Sequence, residues 1–314
     1  MPPDWKRLAP GILAASLVLG PLASRAQTPP PITNATASGR TFSGVSEDHI
    51  LEAIRTARIV GHQQVGSTSV NIHLRLAGDV DAAFKPRSIT HADAYRAEIA
   101  AYRLNRLLGL NRVPPAITRV VPAALLHLSA ETPVTIERDQ SVRGAAIYWV
   151  PVLRESRIDQ DRERSRWSSW LRQGNAIPPD QSARAEEIST LVAFDVLTGN
   201  WDRWSGQNVP MDAAGHLIYR DNNGGFSEPF GDRMLAGVMR HLRLVQKFSR
   251  GVITRARAMT EATVRAEMAL DPDAAHPPLT AVQIASLLRR RDALVSYVDE
   301  LVRRYGESAV YAWP

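Results

Sequence analysis

One lysine and four acidic or amide residues have types and spacing that could support phosphate chemistry. Lys85 ends a short apolar run, Ala82-Ala-Phe-Lys85-Pro86, which reads as a strand stopped by proline. A strand-borne lysine can hold its ammonium rigidly against nucleotide phosphates. Lysine is scarce here, occurring only at positions 6, 85 and 247, while arginine fills nearly every other cationic position. Further on, Glu98 shares a helical stripe with Ala94, Ala101 and Tyr102, where a carboxylate is costly unless paired. Its partner is either Lys85 or one of the arginines. Asp202 sits in Gly199-Asn-Trp-Asp202-Arg203, just past an expected helix end, and could accept the proton of an attacking hydroxyl. Asn208 opens and Asp221 closes a hairpin segment, which could bring their oxygens together. An amide carbonyl and a carboxylate leave positions open on a hard divalent cation for water and phosphate oxygens. Each of these words alone is ordinary turn chemistry. Their order is what points to phosphoryl transfer: strand Lys, helix Glu, loop Asp, then Asn and Asp.

The elements that must position these residues follow from periodicity. A capped helix is expected from Ser46 to Arg58. Val70, Ile72, Leu74 and Leu76 alternate on one face of a strand, and 82–85 is a second. Thr90 and Asp93 predict a capping box for a helix reaching Leu108, closed by Gly109. Two or three strands are expected between Ala116 and Val152, then a segment dense in Arg, Asp and Ser. A helix over 182–197 ends at Gly199, and 209–220 reads as a hairpin turning at Asp212-Ala-Ala-Gly215. From Asp232 the chain reads as mainly helical, its last helix running from a Thr280/Gln283 capping box to Arg304. Strands first and helices later predict an α+β chain in two lobes.

Composition narrows the function classes. The 314 residues are 44% hydrophobic and 22% charged, enough for a real core. Cysteine is absent, which removes disulfide scaffolds, thiolate metal sites and cysteine nucleophiles. There is no Walker A loop, dinucleotide glycine motif, H-E-x-x-H or G-x-S-x-G, and the eight His lack ligand spacing. Lys6 and Arg7, an apolar run and Ser24-Arg25-Ala26 predict a signal peptide over 1–26, with a Pro- and Thr-rich leader over 27–45. The protein is therefore expected to be exported, periplasmic or secreted, with no membrane span after cleavage. A net charge of +6 gives weak support to nucleic-acid binding, and the Arg-rich stretches 154–172 and 239–257 are equally well explained as solvated helix faces. No nucleic-acid partner is expected.

Three segments resemble a known family. Residues 97–119, AEIAAYRLNRLLGLNRVPPAITR, together with Phe194-Asp-Val-Leu-Thr-Gly-Asn-Trp-Asp-Arg203 and Asp221-Asn-Asn-Gly-Gly-Phe226, are similar to the secretory-pathway atypical kinases. These are the Golgi casein kinase, the glycosaminoglycan xylosylkinase and their four-jointed-like relatives. The likeness covers about 61–258 and implies a bilobal atypical protein-kinase-like fold. Its N-lobe, 46–152, would hold an antiparallel sheet plus helix, and its C-lobe, 153–314, would be mainly helical. The resemblance implies ATP with Mn²⁺ or Mg²⁺ as cofactors. Lys85 would contact the phosphates, Glu98 would pair with it or the metal, Asp202 would be the catalytic base and Asp221 a metal ligand. Gly66, Ser67 and Thr68 would lie over the phosphates in a Gly-Ser loop, and Asp195 would brace the catalytic loop. The chain departs from the casein-kinase branch after Asp-Arg, where Trp204-Ser-Gly-Gln207-Asn208 replaces His-His-Tyr-Glu. The second metal ligand is then Gln207 or Asn208, and the shorter, more rigid amide of Asn208 is preferred. Lack of the animal members' disulfides suggests a bacterial-type member. The implied function is an exported ATP-dependent kinase acting on a protein Ser/Thr or a glycan hydroxyl; the alternative is an inactive pseudokinase serving as a binding module. For the acceptor, Arg154, Arg157, Arg162, Arg164, Arg166 and Arg172 favour an acidic protein, whereas Trp167 and Trp170 would suit a sugar ring.

Overall fold

The computed structural model describes residues 39–65, 70–128, 132–206, 208–229 and 231–314. The expected signal peptide, most of the leader, Gly66, Ser67, Thr68 and Gln207 lie outside the described residues. The strands β1 (Thr41–Phe42) and β2 (Val45–Ser46) form a small ribbon ahead of α1 (Glu47–Thr56). The main sheet uses β3 (Ile59–Val65), β4 (Asn71–Leu76), β5 (Ala82–Pro86), β6 (Ala116–Pro122) and β7 (Ser141–Tyr148), antiparallel throughout in the order β3-β4-β5-β7-β6. Its alternation is physical. Ile72, Leu74, Leu76, Ala82 and Phe84 are buried on one face in a core shared with Ile50 and Ile54 of α1. The intervening Ala83 and Lys85 therefore point the other way. Gly144 of β7 lies so close to β5 that a Cβ there would sit 2.4 Å from the Lys85 carbonyl oxygen and 2.8 Å from the Phe84 ring.

Helix α2 (Ala94–Leu107) packs on β6 and β7 and is buried continuously from Ala97 to Asn105. The predicted Thr90/Asp93 capping box is absent. The chain enters α2 through a turn with Asp93 already helical, and Thr90 bonds Ser88 and His91 instead. The Arg-, Asp- and Ser-dense segment contains α3 (Asp161–Trp170), followed by α4 (Ser182–Thr198), which Gly199 ends at φ 68° as expected. The 209–220 hairpin has isolated bridges at Met211 in place of regular strands; Pro210 has no N–H to give a ladder. Then come α5 (Asp232–Leu242), α6 (Arg250–Ala258), α7 (Glu261–Met268), α8 (Ala281–Tyr305) and α9 (Glu307–Val310). A short parallel pair, β8 (Phe248–Ser249) with β9 (Tyr311–Trp313), ties α6 to the C-terminal segment. The Thr280/Gln283 capping box is formed in both directions.

The architecture is α+β and kinase-like, with sheet and helix first and helices after. The loop following α7 reaches back to the sheet: Asp271 accepts from the Thr118 amide at 2.9 Å, and Asp273 pairs with Arg143. Beside it Arg106 of α2 pairs with Glu267 at 3.2 Å. No helix among the described residues is long and apolar enough to cross a membrane.

Candidate functional site

Lys85 projects from β5 into a cleft of about 480 Å³, whose walls include Ala83, Ile147, Trp149, Pro151, Asp221 and Asn222. Its ammonium donates to Glu98 Oε1 at 2.5 Å and to Asp221 Oδ1 at 2.7 Å. Sequence left Glu98 between Lys85 and an arginine; the structure pairs it with Lys85. Burial works against the charge on Lys85, but Glu98 and Asp221 outweigh it and raise its pKa above the ordinary lysine value. Burial likewise pushes against the Asp221 carboxylate, yet Lys85, helped by Arg203 and Arg220, holds its pKa below the usual range. Lysine and carboxylate are thus both charged at neutral pH.

Asn222 supplies what the motif reading missed. It is 1% exposed, and its backbone N–H and Nδ2 both donate to Glu98, at 2.9 and 3.1 Å. Its Oδ1 accepts from Arg203 at 2.6 Å. Arg203, fully buried, also donates to Asp195 Oδ1 at 3.0 Å and to the Arg220 carbonyl. Asp195 therefore does brace the loop carrying Asp202, through Arg203. Burial is the main reason its pKa is raised to about 6, with Arg203 opposing. Asp221 adopts φ 59°, a left-handed conformation that a non-glycine residue holds only when its surroundings fix it.

Asn200 joins the two segments: its Oδ1 accepts from the Asp202 amide at 3.2 Å, and its Nδ2 donates to the Asp221 carbonyl at 3.4 Å. Gly224 permits this approach, since a Cβ there would meet Asn200 Oδ1 at 3.0 Å and Asp202 Cβ at 3.1 Å. Asp202 itself lines a different cavity, about 530 Å³, with Arg164, Trp201, Trp204, Ser205, Arg240, His241 and Leu244. Trp204 stacks on His241 with ring centroids 5.0 Å apart. Burial, reinforced by Arg164 and Arg240, lowers the His241 pKa and favours the neutral ring.

Asn208 donates from Nδ2 to the Asp202 carbonyl at 3.2 Å, so its amide belongs to the Asp202 loop, and it is not among the residues lining the Lys85 cleft. Of the arginines suggested for an acceptor, only Arg164 shares the cavity with Asp202. Trp167 is 1% exposed and donates to the Ile158 carbonyl, so it is a core residue and no sugar platform. Trp170 is partly buried beneath Arg166.

The chain is similar to glycosaminoglycan xylosylkinase of Danio rerio, 24% identical over 82% of this chain and 75% of the relative. The human glycosaminoglycan xylosylkinase is 25% identical over 57% of this chain and 56% of the relative. In fold it resembles the hydra Fam20 solved with sugar, at TM-score 0.61 and 18% identity, covering 84% of this chain and 91% of that one. The Golgi casein kinase with Mn/ADP bound gives TM-score 0.61 and 17% identity, over 84% of this chain and 78% of that one. This chain has the fold of the secretory-pathway kinases. No protein-family model matches it. Asp221 offers carboxylate oxygens at the cleft, donors that suit a hard cation, whereas Asn208, expected as the second ligand, sits on the adjoining loop and does not line that cleft. Among the described residues no three His, Asp or Glu converge into a complete cage.

Proposed function

We propose that the protein is an exported ATP-dependent kinase that transfers the γ-phosphate to a hydroxyl of a protein or glycan acceptor. The observation that carries this reading is the Lys85–Glu98–Asp221 cluster at the wall of a cleft large enough for a nucleotide. Lys85, held by Glu98, would bind the phosphates; Asp221 would hold Mn²⁺ or Mg²⁺, which would supply charge neutralisation, and Asn208 would serve as a second ligand only if its loop moved towards the cleft. Asp202 takes the acceptor's proton from the neighbouring cavity, so donor and acceptor enter by separate openings. The lobes would meet near Val152. Arg164 and Arg240 make the Asp202 cavity cationic, which supports an anionic acceptor.

The test is incubation of purified protein with labelled ATP and Mn²⁺, scoring self-labelling and transfer to acidic peptides and glycans. Asp202→Ala should abolish transfer while keeping ATP-induced thermal stabilisation. Transfer at the wild-type rate by that variant refutes the reading. ATP binding without any transfer by the wild type would identify a pseudokinase.

A further inference from the structure

Helix α8 reaches beneath both halves of the site. Arg290, 3% exposed, donates to the Leu197 carbonyl at 3.0 Å and to the Thr198 carbonyl at 3.5 Å, while another guanidinium nitrogen bonds Ser286 Oγ at 2.8 Å. These carbonyls close α4 immediately before the loop that carries Asp202. Two turns earlier on α8, Gln283 donates to the Phe226 carbonyl at 2.8 Å. Phe226 ends the segment that begins at Asp221, and its own amide donates to the same Thr198 carbonyl at 2.6 Å. A single helix thus grips the start of one segment and the end of the other, with Thr198 shared between them.

The arrangement does more than finish a helix. Gly199 already closes the Asp195 and Val196 carbonyls through its left-handed turn. The last carbonyls, at the negative end of α4, receive a buried guanidinium where solvent would have sufficed. Burial lowers the Arg290 pKa to about 10, so placing the charge there carries a cost. Phe226 is held at φ 55°, a conformation that persists only under such restraint.

We infer that Arg290 and Gln283 are positioning residues for phosphoryl transfer, fixing the Asp202 loop and the Asp221 segment relative to each other without touching substrate. This rests on the kinase reading above. Gln283→Glu isolates the effect: the carboxylate still accepts from the Thr280 amide at the helix cap but cannot donate to Phe226. Arg290→Met and Arg290→Lys complete the set. Folded Gln283→Glu and Arg290→Met should lose roughly tenfold to a hundredfold in kcat with KM for ATP nearly unchanged, and Arg290→Lys should recover part of the loss. Amide hydrogen exchange over 199–206 and 221–226 should accelerate about tenfold in the two disruptive variants, while β5 and α2 keep their protection. Unchanged kcat in folded Gln283→Glu, or faster exchange spread evenly over the molecule, overturns the inference. If the wild type transfers no phosphate, the kinase reading fails by itself. The exchange pattern then still decides whether α8 positions the two segments.

Discussion

Asp221 has two neighbours that want different things from it: Lys85 takes one carboxylate oxygen, and a cation in the cleft would need the other. Replacing it by Asn keeps the shape and removes the charge on which both depend. Asp221→Asn should abolish most of the stabilisation by ATP and Mn²⁺, which is about 2.7 kcal/mol at a hundredfold excess over Kd, as read by thermal denaturation. A wild-type ATP shift that persists in excess chelator would contradict this. Asp195 makes a prediction about pH. Its folded pKa, about 6, lies above its ordinary value of 3.8, so the stability it contributes is full below 3.8 and lost as pH rises through 6. The stability of wild type minus that of Asp195→Asn should therefore fall between pH 4 and 7, by on the order of 1–3 kcal/mol, and stay level above. A flat difference in urea denaturation would mean that Asp195 does not titrate there. Asp221 stood out through its place in the order of strand Lys, helix Glu, loop Asp, then Asn and Asp, and Asp195 through the family resemblance. Asn222 and Asn200 did not, although both lie inside quoted motifs. An asparagine in a turn looks the same whether it faces solvent or, like Asn222, is 1% exposed and committed to Glu98 and Arg203.

Among the elements, those with one buried face were the readable ones. β5 and α4 carry local signals, alternation before a proline and a periodic run before glycine, and both formed close to where expected. α3 was missed because its polar face dominates: ten residues from Asp161 to Trp170 bury only Trp167 fully. With Trp170 packing beside it, Trp167 anchors the helix against the larger core, where it also lies 5.5 Å from Trp204. Trp167→Ala should cost about 3–5 kcal/mol in denaturant titrations, as other large core truncations do. Trp201, 54% exposed on the rim of the Asp202 cavity, should lose less than about 1 kcal/mol on the same change while raising KM for the acceptor. The reverse ranking of the two would return Trp167 to the sugar-facing role that its ring first suggested. No local pattern could have placed His241 and Arg240 beside Asp202, because α5 reaches that cavity through tertiary packing alone.

At the scale of the whole molecule, the sheet has an outer strand, β6, and the helical part covers it. Asp271, 5% exposed, accepts the outward-facing Thr118 amide, so a side chain takes the place of a further strand. Asp271→Ala should cost about 1–3 kcal/mol by leaving that amide buried and unpaired, and amide exchange in β6 should rise before exchange in β4. Equal exchange in the two strands would show that the covering loop contributes no local protection.

The distribution of lysine gives the molecule a chemical handle. Lys247, the other lysine among the described residues, is 8% exposed and donates to the carbonyls of Trp170 and Asn175, which leaves little of it open to attack. Of the two lysines among the described residues, Lys85 lines the nucleotide-sized cleft, where Glu98 and Asp221 hold its ammonium charged. A nucleotide bearing an amine-directed acylating group, held beside Lys85 and read at mildly alkaline pH where some of that ammonium is neutral, should therefore mark Lys85 in preference to Lys247, and unmodified ATP should protect Lys85 in proportion to its occupancy. The labelled fraction would count competent molecules in a preparation directly, with no acceptor needed.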